Sequence, residues 1–177
     1  VLSNTPFAID AQTVIDAARA IAEHHQHDAI EPEHLLLALL SCDVGPGHAA
    51  LCRLDRHPDE LRALAERALR TVPKRRLAGR AVHVSAGLRK LVELAAIEAS
   101  GAGQEAIHSG HLLLALVHPR RGGVTSLLLA RGVTYEQVRQ LLTGEQIELG
   151  RVCEFVAGAP EPYVLANAGG EAAVHSA

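Results

Sequence analysis

The chain has 177 residues, 48% of them hydrophobic, with a net charge of −3 and only two Phe and two Tyr. So few rings disfavour a sheet-rich fold and single-stranded nucleic acid, whose bases stack on aromatic side chains. Acidic and basic residues are mixed, with no basic face for nucleic acid, and no apolar run nears the eighteen or so residues of a membrane span.

The first predicted helix places Ala11, Val14, Ile15, Ala18, Ile21 and Ala22 on one face. The second starts near Pro32, whose missing N–H costs nothing in a first turn. Its run Leu35 to Leu40 is apolar all round, which predicts a central helix buried on every side. A third helix is expected after the Gly45-Pro46-Gly47 break, carrying Leu51 and Leu54. A fourth starts at Pro58 and carries Leu61, Leu64 and Leu69. Residues 71–84 hold Pro73, Lys74, Arg75, Arg76, Gly79 and Arg80 and read as a basic linker.

Beyond the linker the pattern returns. Leu88, Leu91, Val92, Ala95 and Ala99 form a helical face, and Leu112 to Val117 is a second all-apolar run. Gly132 is a helix stop, and Thr134 and Gln137 have capping-box spacing. One offset of 77 residues pairs Ala18 with Ala95, Ile30 with Ile107, His34 with His111, Leu35–Leu39 with Leu112–Leu116, Gly45 with Gly122 and Leu64 with Leu141. A register held over so long a stretch predicts two copies of one four-helix unit. The expected divisions are 1–70, the linker 71–84, 85–143 and a mobile tail from 144 to 177. That tail holds Gly158, Pro160, Pro162, Gly169 and Gly170, with Phe155 and Tyr163 as its aromatics.

Little here supports bond-making chemistry. His24 and His27, and His108 and His111, are three apart, a spacing that can set two metal ligands on one helical face. His27 lies near a helix end, however, and His108 in a loop. His34 and His111 share one repeat position, and buried imidazoles bonding a helix end or a loop carbonyl are the expectation. Ser41, Ser85, Ser100, Ser109 and Ser126 sit in no Gly-x-Ser-x-Gly elbow, and no phosphate loop ends in Lys-Ser or Lys-Thr. Cys42, Cys52 and Cys153 lack paired spacing and read as reduced, buried thiols. We expect no enzyme, no metal, no cofactor, and a cytoplasmic location. The chain contains no methionine, which fits an alternative start codon read as valine or a trimmed chain.

Phe7, Ala11, Val14, Ile15, Ala18, Ala22, His27, Ile30, Glu33, His34 and the leucine run resemble the opening of the Clp N-domain, the C type most of all. The second copy resembles it through Leu91, Ala95, Ala99, Ile107, His111, Leu112 to Leu116, Gly122 and Gly132-Val133. The resemblance spans roughly residues 5–143. It implies an all-α fold, two tandem four-helix repeats forming a pseudo-twofold eight-helix bundle. It also implies a non-catalytic protein- or peptide-binding module of the Clp proteolysis system that receives adaptors or substrates. In the C type, the glutamate before the helix-two histidine of each repeat receives the guanidinium of phosphoarginine, which a carboxylate can hold through two parallel bonds.

This chain keeps that acid as Glu33 but has Gly110 in the second copy, and the family's threonine near the first helix is Ala8, with Ser85 as its twin. At most one half-site is expected to survive, and Glu33 also reads as a helix-start acid favoured by the helix dipole. Without ATPase motifs, the chain is expected to be a free-standing protein. An alternative is a decoy that sequesters peptide-like small-molecule or peptide ligands of the Clp unfoldase. The expected partners are Clp unfoldase or protease components, adaptors or substrates, with neither nucleic acid nor membrane. Candidate binding residues are Phe7, Ala8, Glu33, Val84, Ser85 and Gly110, along the seam between repeats. Phe7 reads either as a cap on the core or as an anchor for a partner.

Overall fold

The computed structural model describes residues 5–55, 57–74, 81–119 and 123–144. The first repeat folds as α1 (Ile9–His24), β1 (Ala29–Ile30), α2 (Pro32–Ser41), α3 (Gly45–Leu54) and α4 (Pro58–Leu69). Then come β2 (His83–Val84), α5 (Ala86–Gly101), α6 (Ser109–Leu116), α7 (Val124–Ala130) and α8 (Tyr135–Gly144). The 77-residue offset carries α1 onto α5 from first residue to last, and the first residues of α2 and α4 onto those of α6 and α8. The fold is therefore two tandem four-helix repeats. Gly122, residues 75–80 of the basic linker, Cys153, Phe155, Tyr163 and nearly all of the expected tail lie outside the described residues.

The two all-apolar helices sit at the centre. Every residue from His34 to Leu40 and from Ser109 to Val117 is buried, and α2 and α6 touch each other across the repeats. Around them pack Ala11, Val14, Ala18 and Ala22 of α1 and Leu88, Leu91, Ala95 and Ala99 of α5. A helix buried on all sides must find internal partners for its free terminal groups. Both repeats use the same solution. Glu31 N–H donates to His34 Nδ1 (2.9 Å) and His108 N–H to His111 Nδ1 (3.0 Å). At the other end, His48 Nδ1 bonds Leu39 C=O (2.9 Å) and Thr125 Oγ1 donates to Leu116 C=O (2.7 Å). The buried histidines thus serve a helix end, as their shared repeat position suggested.

Helices are not the whole of the fold, which the sequence did not announce. β1 and β2 pair in parallel, Ala29 opposite His83 and Ile30 opposite Val84, and an isolated parallel bridge joins Phe7 to Ile107. The 77-residue offset turns one pair into the other with the repeats exchanged. The strand leading into each repeat's first helix therefore pairs with the α1–α2 or α5–α6 connection of the other repeat. Ile30 and Ile107 are each 1% exposed, so both crossings are anchored in the core.

Two other expectations need correction. α3 starts at Gly45 rather than after the Gly-Pro-Gly break, because Pro46 fits a first turn that needs no N–H from it. The thiols are not both buried helical residues. Cys42 is half-buried just past the end of α2, and Cys52 is exposed on α3. The stretch read as a linker is pinned at both ends, by a bridge between His27 and Lys74 and by β2. Gly132 does stop α7 with φ +77°, and Thr134 and Gln137 bond reciprocally through backbone N–H and side-chain oxygen. Among the described residues no single helix is long and apolar enough to cross a membrane.

Candidate functional site

The crossed strands create two repeat-equivalent mouths and sort the six candidate residues between them. Val84 and Ser85 lead into α5 beside the start of α2, where Glu33 stands. Phe7 and Ala8 lead into α1 beside the start of α6, where Gly110 stands, and Ala8 N–H donates to Ile107 C=O (2.9 Å). Glu33 thus belongs with Val84 and Ser85, not with Phe7 and Ala8.

The Gly110 mouth is sealed. Asp10 Oδ2 accepts the Ser109 N–H (2.7 Å), and its Oδ1 lies 3.1 Å from His108 Nδ1. Burial alone would raise the Asp10 carboxyl, but the bonds from Ser109 and the pull of His108 hold it below the usual carboxylate value. Ser109 Oγ accepts the Gly47 N–H (3.0 Å). A Cβ on Gly47 would stand 2.5 Å from the Ser109 carbonyl oxygen, so only glycine lets α3 come this close to α6. Over Gly110 lie the methyls of Leu142, 2.9 Å from where a Cβ would stand, and Pro46. Phe7 is half-buried and packs against the core.

The Glu33 mouth differs at each of these positions. The twin of Gly47 is Val124, whose buried side chain keeps α7 away from α2, and α7 lies along α2 far less than α3 lies along α6. The twin of Asp10 is Gly87, which brings no carboxylate across from α5; the start of α2 is capped instead by its own Glu31, whose side chain accepts from the His34 N–H. A Cβ on Gly87 would find Glu31 Oε2, Pro32 Cδ and Ser85 Oγ at 3.6 Å, ordinary contact distance. Ser85 is itself committed, its hydroxyl accepting the Leu88 N–H (3.0 Å) as the cap of α5. Glu33 is half-buried, with its carboxylate near Gly123 at the start of α7. Burial pushes the Glu33 carboxyl up, its own backbone N–H holds it down, and neighbouring Glu31 pushes it up again. Among the described residues no cation pairs with Glu31 or Glu33.

Sequence reasoning passed over Asp10, Glu31 and the packing role of Gly47. The signal was available in places where the two copies disagree: Asp10 against Gly87, and Gly47 against Val124. Among the described residues no three His, Cys, Asp or Glu side chains are placed to hold a metal ion.

The family model for the Clp repeat (R) N-terminal domain matches residues 7–151. Chaperone protein ClpB 1 of Parasynechococcus marenigrum (strain WH8102) is 32% identical over 137 residues, 77% of this chain and 16% of that protein, so the chain spans about a sixth of this relative's length. Among solved structures, the N-terminal domain of ClpV1 ATPase from E. coli EAEC Sci1 T6SS matches with 26% identity and a TM-score of 0.60, covering 79% of this chain and 85% of that one. A structure described as a peptide from the EAEC T6SS Sci1 SciI protein matches with 24% identity and a TM-score of 0.66, covering 82% and 94%. The repeat, the crossed strands and these matches agree: the chain belongs to the Clp repeat N-terminal domain family.

Proposed function

We propose that this chain is a non-catalytic protein- or peptide-binding module serving Clp proteolysis, and that it receives adaptors or substrates at the Glu33 mouth. One observation carries this reading. Of two repeat-equivalent mouths, one is closed over by Asp10, Leu142 and the close approach at Gly47, while the other keeps an acid pair that no cation among the described residues meets. Two neighbouring carboxylates, one held above its usual pKa by burial, favour an incoming guanidinium or ammonium group. The likeness to a Clp ATPase N-terminal domain, and to the structure described as a SciI peptide, supports a polypeptide as the partner.

Amide chemical-shift mapping with an unfolded model substrate, reduced carboxymethylated casein, tests the location. Shifts gathered on Val84–Gly87, Glu31–Glu33 and Gly123 are expected. Shifts gathered at Gly47 and Gly110, or none at all, would overturn it. With free phosphoarginine, calorimetry should give no more than one site, abolished by Glu33→Gln. Two equivalent sites would contradict the sealed mouth.

A further inference from the structure

One imidazole holds both ends of the connection between α1 and α2. His34 Nδ1 accepts the Glu31 N–H (2.9 Å), so its Nε2 carries the proton and donates to His27 Nδ1 (2.7 Å). His27 then keeps its own proton on Nε2. Two neutral rings thus hold two protons, and their two unprotonated nitrogens are both in use as acceptors. A third proton on the pair must take one of those nitrogens, and either the Glu31 bond or the ring-to-ring bond is lost. The connection held in this way supports the Glu33 mouth. Asp28 C=O and Ile30 C=O accept the His83 and Ser85 N–H groups, each at 3.2 Å, and Glu31 is one of the mouth's two acids. The other repeat has no such pair. The twin of His27 is Gln104, which does not titrate, although the two backbones bond alike: His27 N–H to Ala22 C=O and Gln104 N–H to Ala99 C=O, each at 2.9 Å.

We propose that the His27–His34 pair is a proton-operated latch on the Glu33 mouth: a third proton parts the pair, loosens the α1–α2 connection from β2 and weakens the hold on a bound polypeptide. This rests on the module reading above and adds its regulation. Burial lowers both imidazoles, His34 to about 4, and His25 and Lys74 press His27 down further. Once the connection opens, each ring returns toward its ordinary 6.5. The closed latch is therefore fully stable above about pH 6.5 and loses stability as pH falls toward the folded values. Opening the first repeat's connection frees two such imidazoles, His27 and His34, whereas opening the second's frees only His111. Other charges surround the pair. His25 stacks on His27 at 5.7 Å, and His24 stands edge-on to His25 at 5.4 Å. Asp28, Glu31 and Glu33 lie along the connection and α2, Glu66 of α4 acts on His25, His83 stands opposite Ala29, and Arg89 and Lys90 lie on α5. Lys74 bridges to His27, and the cations that follow it, Arg75, Arg76 and Arg80, lie outside the described residues, as do residues 120–122 and 145–177. Such charges set the pH at which the latch opens. Which bonds break follows from the protons and acceptors of the two rings alone.

Amide hydrogen exchange at about pH 7 and about pH 5.5, corrected for intrinsic rates, reads the latch in the free chain. Protection of Glu31 and Ser85 should fall about tenfold further than that of their twins His108 and Ala8, the effect of one extra imidazole over about one pH unit below 6.5. His27→Gln, which copies the second repeat, should erase the difference. Equal losses in the two repeats of the wild type, or a difference that survives in His27→Gln, overturn the latch. The wild-type contrast decides if the variant does not fold. Binding of reduced carboxymethylated casein should weaken between the two pH values about fivefold more for the wild type than for His27→Gln, a comparison that removes the effect of pH on casein and on Glu33. Casein bound at the Glu33 mouth with equal losses in both overturns the latch's effect on a partner and leaves the module reading in place. If casein does not bind even at pH 7, the module reading falls, and the exchange contrast alone decides whether the latch exists.

Discussion

Arg131, at the end of α7, grips Asp55, at the end of α3, with two parallel bonds: Nη2 to Oδ1 at 2.9 Å and Nε to Oδ2 at 3.1 Å. The Asp55 side chain is 3% exposed, and Arg131 adds a third bond to Glu60 on α4. The pair ties the second repeat to the first. It has no counterpart in the other half, because the repeat twins are Leu54 and Gly132.

Removing Arg131 leaves a buried carboxylate short of two donors, a costly loss. Arg131→Met should lower the melting temperature by several degrees, read by circular dichroism. The bonds from Arg131, opposed by burial, hold the Asp55 carboxyl below its ordinary value. Its contribution is thus present above about pH 4, the unfolded value, and is lost as pH falls through the lower folded value. The variant should lose part of the wild type's stability gain between acid and pH 5. An unchanged melt and an unchanged pH profile would show that the pair does not bind the repeats together.

The histidines at the starts of α2 and α6 make a second pH prediction. Burial, with His27 beside His34 and His108 beside His111, lowers both imidazoles to about 4. His34 Nδ1 accepts the Glu31 N–H, so its Nε2 carries the proton and donates to His27 Nδ1 at 2.7 Å. The unfolded chain takes up protons on these rings near pH 6.5, before the folded chain does. Stability is therefore full above about pH 6.5, falls as pH drops toward 4, and loses no more on this account below that. Urea midpoints measured across this window should show the slope, and His34→Gln with His111→Gln should flatten it, at a cost in stability at pH 7.

Two glycines on the sealed mouth should respond differently to the same change. Gly47→Ala drives a methyl into the Ser109 carbonyl, backbone that cannot move aside, and should cost roughly 1–3 kcal/mol. Gly110→Ala presses on the ends of the Leu142 side chain, which can rotate, and meets Pro46 Cγ at 3.4 Å, close to ordinary contact. Its gain in helix propensity, about 1 kcal/mol, should leave stability nearly unchanged. Denaturation midpoints of the two variants decide this. Equal losses would mean that α3 does not rest on α6 as described.

The central helices should carry much of the stability. Leu36 and Leu113 are fully buried, and truncating either to alanine should cost about 2–5 kcal/mol. Chemical denaturation reads the loss, and a change within half of one kcal/mol would place these helices at the surface.

The repeat, the eight helices and the two buried leucine runs were legible in the sequence because they follow from local periodicity. An apolar stripe or an all-apolar run reports which faces must leave water, whatever lies opposite. His34 and His111 could be read as helix-end imidazoles because the repeat placed them at one position. Tertiary structure alone decided the rest. Which lead-in pairs with which connection is a contact between distant segments, so neither Val84 beside Ile30 nor Phe7 beside Ile107 shows in any window of sequence. The same holds for the two mouths. Glu33 and Gly110 were visible as a lost symmetry, but not that Gly47, 63 residues before Gly110, lets α3 close over it while Val124 holds its own helix off. Close packing turns the presence or absence of one side chain into the spacing of two helices, and that spacing brings α3 over the Gly110 mouth.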